Sequence, residues 1–190
     1  MSLQTWQETL VSAQVAGTTL TASTTPTSII PAAARYTLPA NYMAIGKVFR
    51  IRFAGQLGNI VTTPGTLTLD VRMGPTSNIV VFNGGAMQLS STAHTALPIM
   101  GEIMLTCRAI NAGTGANFMG QGWATAQALS LTAVADSTTT PATLLMPNTT
   151  PGVGTGFDST VPMVVDLFGT FSLNNANAIT IQQYALIAEN

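Results

Sequence analysis

Charge is what this 190-residue sequence has least of. Charged side chains make up 7% of it, against about 25% in an average soluble domain. Six are basic and seven acidic, for a formal net charge of −1, with a single Lys (Lys47), a single His (His94) and a single Cys (Cys107). Each scarcity excludes something. Nucleic-acid binders draw most of their affinity from Lys and Arg neutralising phosphates, and the densest basic tract here is Arg50-Ile51-Arg52; no nucleic-acid partner is expected. One Cys forms no intramolecular disulfide, and one His makes no zinc site. Apolar runs such as 96–100 and 163–165 are broken by Gly, Pro or charge long before the ~20 residues a membrane span needs, so no membrane is expected either. The first ten residues hold Glu8 and neither Lys nor Arg, which is not the basic start of a signal peptide.

What is present is apolar or neutral-polar. Hydrophobic residues make up 46%, and threonine, at 30 copies, leads the polar ones. That much hydrophobicity speaks against disorder. A chain of this length buries roughly 70% of the surface its unfolded form exposes, so it folds without staples. Its surface must be built from Thr, Ser, Asn, Gln and Gly. Near-zero net charge promotes association, so the sequence reads as a protein made to be covered by partners.

Alternation with period 2 runs through most of the length. Phe49, Ile51 and Phe53 face opposite to Arg50 and Arg52, and Leu67, Leu69 and Val71 alternate with Thr68, Asp70 and Arg72. Ile103, Leu105, Cys107 and Ala109 oppose Glu102, Met104, Thr106 and Arg108; Val165, Leu167, Phe171 and Leu173 oppose Asp166, Thr170 and Ser172. From Ala178 the phase slips at Gln182-Gln183, where a bulge returns Tyr184 and Leu186 to the inner face. Pro, Gly and Asn turns such as Thr63-Pro64-Gly65, Asn83-Gly84-Gly85 and Asn111-Ala112-Gly113 separate the runs. Shorter strands are expected at 28–30, 79–82, 86–89, 118–123, 128–134 and 143–145, for eight to ten in all. Residues 18–27 and 136–158 read as loops. The prediction is an all-β fold, an antiparallel two-sheet β-sandwich of jelly-roll type, with residues 1–12 as an N-terminal arm and 13–190 as one domain.

Chemistry is hard to find. His94 falls in a turn and Cys107 on an inward phase, and a buried Cys is a common core residue. The 152–156 segment, Gly-Val-Gly-Thr-Gly, has Pro151 before it and no helix pattern after it, so it lacks the context of a phosphate loop and reads as a flexible loop. Asp136 and Asp158 stand alone. No catalytic residue, cofactor or metal ligand is assigned, and no enzyme is expected. The charges themselves carry more. Arg50, Arg52, Asp70, Arg72, Glu102, Arg108 and Asp166 all fall on strands, on the non-core phase. They form either a lattice of exposed pairs holding sheet register or a polar patch that docks a neighbour, with Arg50, Arg52, Arg72 and Arg108 as its candidate contacts. Trp6 and Leu10 are the large apolar residues of the arm: either assembly contacts or a plug for one end of the sandwich itself.

Three segments carry a resemblance. They are Leu38-Pro39-Ala40-Asn41 running through Gly46-Lys47 and Arg50-Ile51-Arg52-Phe53 to Ala54-Gly55; Thr63-Pro64-Gly65-Thr66-Leu67-Thr68-Leu69-Asp70-Val71-Arg72-Met73-Gly74; and Glu102–Arg108 with the Gly120-Gln121-Gly122 turn. Together, over roughly Arg35 to Ile187, the chain resembles the β-sandwich modules of tailed-bacteriophage virion proteins. The resemblance implies a non-enzymatic structural protein of the virion, made in the bacterial host cytoplasm. A capsid decoration (cement) protein of the jelly-roll type is the form expected, binding the outer head surface. Its partners would be the major capsid protein and itself, with a homo-trimer suited to local three-fold axes. The alternative is a receptor- or glycan-binding module of a tail or fibre, for which Trp123 and Phe157 are the aromatic candidates in exposed loops.

Overall fold

The alternating segments become strands, and turn residues end them. The computed structural model describes residues 6–60, 63–131 and 141–189. Its strands are β1 (Gln7–Ser12), β2 (Leu20–Thr21), β3 (Thr27–Ser28), β4 (Tyr36–Leu38), β5 (Val48–Asn59), β6 (Thr66–Met73), β7 (Ile79–Asn83), β8 (Met87–Gln88), β9 (His94–Ala109), β10 (Ala116–Ala126), β11 (Ala142–Met146), β12 (Val153–Phe157), β13 (Met163–Phe171) and β14 (Ala178–Glu189). A single 3₁₀ turn, Ala32–Ala34, is the helical element among the described residues.

The strands make two antiparallel sheets. The larger runs β1-β14-β5-β9-β10-β11, with β12 also on β10 and β2 on β14; the smaller runs β3-β13-β6-β7, with β4 on β13 and β8 on β6. The pairing is nested: β5 pairs β14 in the larger sheet, while the next strand in, β6, pairs β13 in the smaller. The chain thus changes sheets after β5 and again before β14, which is the wrapping of a jelly roll.

Between the sheets lies one core. Phe49, Ile51, Phe53, Leu67, Leu69, Val71, Ile103, Leu105, Val165, Leu167 and Phe171, all on the predicted inner phase, are buried. Phe118 joins two of the aromatics, edge-on to Phe49 and stacked on Phe157 at 5.1 Å. Glycine makes room where rings cross: a Cβ at Gly120 would lie 2.3 Å from the Phe82 ring. The β14 bulge is where the sequence places it, with the register shifting between Ile181 and Gln183, and Tyr184 and Leu186 inside.

Several expectations are corrected. Fourteen described strands replace eight to ten, because two- and three-residue strands carry no readable alternation. The loop expected at 152–156 is strand β12, paired to β10. Its glycines hide the pattern, and Gly154 passes so near the Val81 carbonyl that no side chain fits. Phe157 therefore ends a strand in the core rather than sitting in an exposed loop, and Trp123 lies on β10, not in a loop. The strand expected at 128–134 does not form over 128–131, where Leu129 makes only an isolated bridge to Leu89; 132–134 lie outside the described residues. Leu173 falls past the end of β13 and is half-buried, and His94 opens β9 rather than sitting in a turn.

Candidate functional site

Rows of side chains across the larger sheet's outer face follow from its ladder register. Leu145, Trp123, Glu102, Arg52 and Ala185 pair in sequence across β11, β10, β9, β5 and β14. The next row holds Gln121, Met104, Arg50 and Ile187. Met100 stands two residues before Glu102, opposite Thr125. One half of the face exposes four large apolar side chains, Met100, Met104, Trp123 and Leu145 at 48%, 40%, 38% and 72%, with the neutral Gln121, Thr125 and Thr143 among them. Scattered surface apolar residues are ordinary, but a contiguous set on one face marks an interaction site.

The other half is ionic. Glu102 accepts from Arg52 Nε at 2.8 Å and from Arg50 Nη1 at 3.2 Å, and Arg50 Nη2 donates to Glu189 at 3.1 Å. These half-exposed pairs each contribute at most about 1 kcal/mol; their larger effect is that the carboxylates are neutralised by neighbours on the same face. Arg108, at the end of β9, continues this phase and is exposed.

Arg72 is not part of this face. It lies on the outer side of the smaller sheet, its guanidinium 4.6 Å over the Phe168 ring and Nη2 3.3 Å from Asp70. Nearby, Asp166 pairs with Arg35 at 3.1 Å and accepts from Ser28 Oγ at 2.7 Å. The lattice of exposed pairs expected for all these charges is corrected here. Asp70 and Asp166 are on the predicted phase yet only 5% and 1% exposed: Ser28 and Arg35, at the edge strands that pair β13, close on Asp166, and Arg72 closes on Asp70. Burial pushes both carboxyls above the usual range, against the pull of Arg72 on one and of Ser28 and Arg35 on the other. Nothing in the residues around either carboxylate marks this burial, since the partners of Asp166 come from distant segments.

Trp6 and Leu10 are held by the chain itself. β1 pairs β14 along the sheet edge, the register shifts at Leu10, and Leu10 and Val11 pack on the core. Trp6, 45% exposed, lies with its ring 5.9 Å from Lys47 Nζ. That ammonium sits 3.7 Å from the Tyr42 ring centre, and Tyr42 Oη donates to Glu8 at 3.3 Å. Burial and the Glu8 carboxylate push the Tyr42 phenol up to about 12. Residues 1–5 lie outside the described residues.

The chemical candidates stay apart. His94 and Cys107 occupy opposite ends of the 16-residue β9, and burial raises the Cys107 thiol. Asp158 caps a turn, accepting from Thr160 Oγ1 at 2.6 Å and the Gly113 amide at 2.7 Å, which hold its carboxyl below the usual range. Asp136 lies outside the described residues. Among the described residues no three His, Cys, Asp or Glu side chains are placed to hold a metal. No described helix is long and apolar enough to cross a membrane.

No family model matches the chain, and no curated protein matches it. Among solved structures, a peanut lectin with a nine-residue peptide is similar in fold, with a TM-score of 0.35 and 8% sequence identity over 97% of each chain.

Proposed function

We propose that this chain is a non-enzymatic structural protein of a tailed-bacteriophage virion, a decoration protein that lays the outer face of its larger sheet on the capsid exterior. One observation carries the reading: Met100, Met104, Trp123 and Leu145 form an exposed apolar half-face beside carboxylates already neutralised by Arg50 and Arg52. Such a face gains from burying its apolar half while the paired charges stay hydrated at the margin, the arrangement of an interface core with a polar rim. The resemblance of the 38–55 and 63–74 segments to phage virion sandwiches points to the partner, the major capsid protein. A charge-poor surface supports self-association, with a trimer as the form that matches a capsid's local three-fold axes. A protein bound only by the assembled shell stabilises that shell by RT ln(1 + [L]/Kd).

The test is add-back. Purified protein is mixed with phage heads that lack it, and co-sedimentation and heat stability of the heads are followed. Saturable binding in fixed proportion to capsomers, with heads that survive higher temperature, is the expected result. A monomer that neither binds heads nor changes their stability overturns the reading.

A further inference from the structure

A groove of about 470 Å³ opens where β5 ends and β9 begins, sharing no residue with the apolar half-face. Its shape comes from an irregularity. The β5–β9 register shifts between Leu57 and Asn59, opposite His94, and Ala96 is held at φ 51°. A non-glycine residue in that region costs roughly 1–2 kcal/mol. Gly58 permits it, since a Cβ there would stand 3.1 Å from the His94 carbonyl and 3.3 Å from the Ala96 nitrogen. Bulges of this kind re-aim side chains, and backbone strain gathers at working sites.

The lining is specific in what it offers. Thr19 and Thr180, their hydroxyls 2.7 Å apart, and Gln56 supply neutral hydrogen-bonding groups, while Ala96 and Ala178 supply methyl surface. No Asp, Glu, Lys or Arg lines it. Asn59, 5% exposed, is fixed by donating from Nδ2 to the carbonyls of Ser90 and Thr92, and its Oδ1 has no partner. His94 Nε2 has none either. A buried polar atom left unpaired costs about 1–3 kcal/mol. A hydroxyl both donates and accepts, so it satisfies Asn59 Oδ1 and either tautomer of His94 once a side-chain rotation turns these buried atoms to the groove.

We propose that this groove binds a neutral saccharide, whose hydroxyls meet Asn59, His94, Gln56 and Thr180 and whose C–H face rests on the alanine methyls. The volume falls within the roughly 300–1,000 Å³ of small-molecule sites, and an anionic ligand finds no counter-charge there. The inference does not depend on the docking reading.

The full chain is titrated with glucose, galactose, mannose and N-acetylglucosamine while the His94 imidazole and Asn59 side-chain amide signals are followed by NMR. At least one sugar is expected to shift both saturably, with Kd on the order of 1 mM. The near-isosteric Thr180→Val and the separate His94→Ala should each weaken it about five- to tenfold, with melting of Thr180→Val unchanged. Tighter binding of the matching oligosaccharide assigns a surface glycan, and equal binding a free sugar; both uphold the site. No saturable shift with any of the four, shifts that spare His94 and Asn59, or full affinity in Thr180→Val overturns it.

Discussion

Trp123 stands directly across from Glu102 in the ladder between β10 and β9, so an indole and a twice-paired carboxylate share one row of the larger sheet's outer face. The indole is 38% exposed. Trp is among the residues that dominate binding energetics when an interface closes over them.

Truncating that indole separates binding from folding. Trp123→Ala should change unfolding free energy by less than about 1 kcal/mol, since the side chain is on the surface. It should weaken head binding at least about tenfold. Urea denaturation and co-sedimentation check the two halves. A large stability loss with binding intact would make Trp123 a packing residue only.

The core responds in the opposite way. Leu69 is fully buried between the sheets, so Leu69→Ala should cost about 2–5 kcal/mol. A cost under half a kilocalorie in chemical denaturation would mean that β6 is assigned the wrong phase.

These two outcomes mark what was legible in the residues and what was not. Phe49, Ile51 and Phe53 announce their strand because alternation is a local signal, and Gln182-Gln183 betrays its bulge by breaking one. Trp123 and Leu145 lie in separate segments, and only the β10–β11 register makes them neighbours. Arg72 shares its alternation phase with Asp70 just as Arg50 does with Arg52, yet the nested topology sends β6 to the other sheet. The burial of Asp166 depends on Ser28 and Arg35, brought in from distant segments at the edge of β13, and glycine hides the pattern of β12. Strand phase is written locally; which sheet, which edge and what covers it are not.

Buried Asp70 gives a pH signature. Burial raises its folded-state pKa above the unfolded value, so the folded protein keeps the proton where the unfolded chain has lost it. The associated stability is full below the ordinary carboxylate range and is lost as pH rises through the folded value. Asp70→Asn removes this dependence. The difference in unfolding free energy, Asn minus Asp, should therefore shift toward the variant as pH rises above about 4 and level off once the folded-state carboxyl has ionised. A difference that moves the other way would show that the Arg72 pairing outweighs desolvation.

Lys47 fastens the N-terminal strand. Its ammonium lies between the Tyr42 and Trp6 rings, and Glu8 reaches Tyr42 from β1. Trp6→Ala should speed amide exchange over 8–12 while leaving β5 and β9 protected. Deleting 1–12 should lower the melting temperature by several degrees, because Leu10 and Val11 leave the core and the edge of β14 is uncovered. Unchanged melting after the deletion would make this segment an arm free of the sandwich.

The docking claim is tested most directly by hydroxyl-radical footprinting of the protein, free and bound to phage heads. Methionine and tryptophan are suited to this readout, and the claimed face carries Met100, Met104 and Trp123. Bound protein should show these three protected several-fold relative to free protein, while Phe168 and Val80 on the smaller sheet oxidise equally in both states. Protection confined to the smaller sheet, or Trp123 oxidised alike on and off the head, would contradict the account.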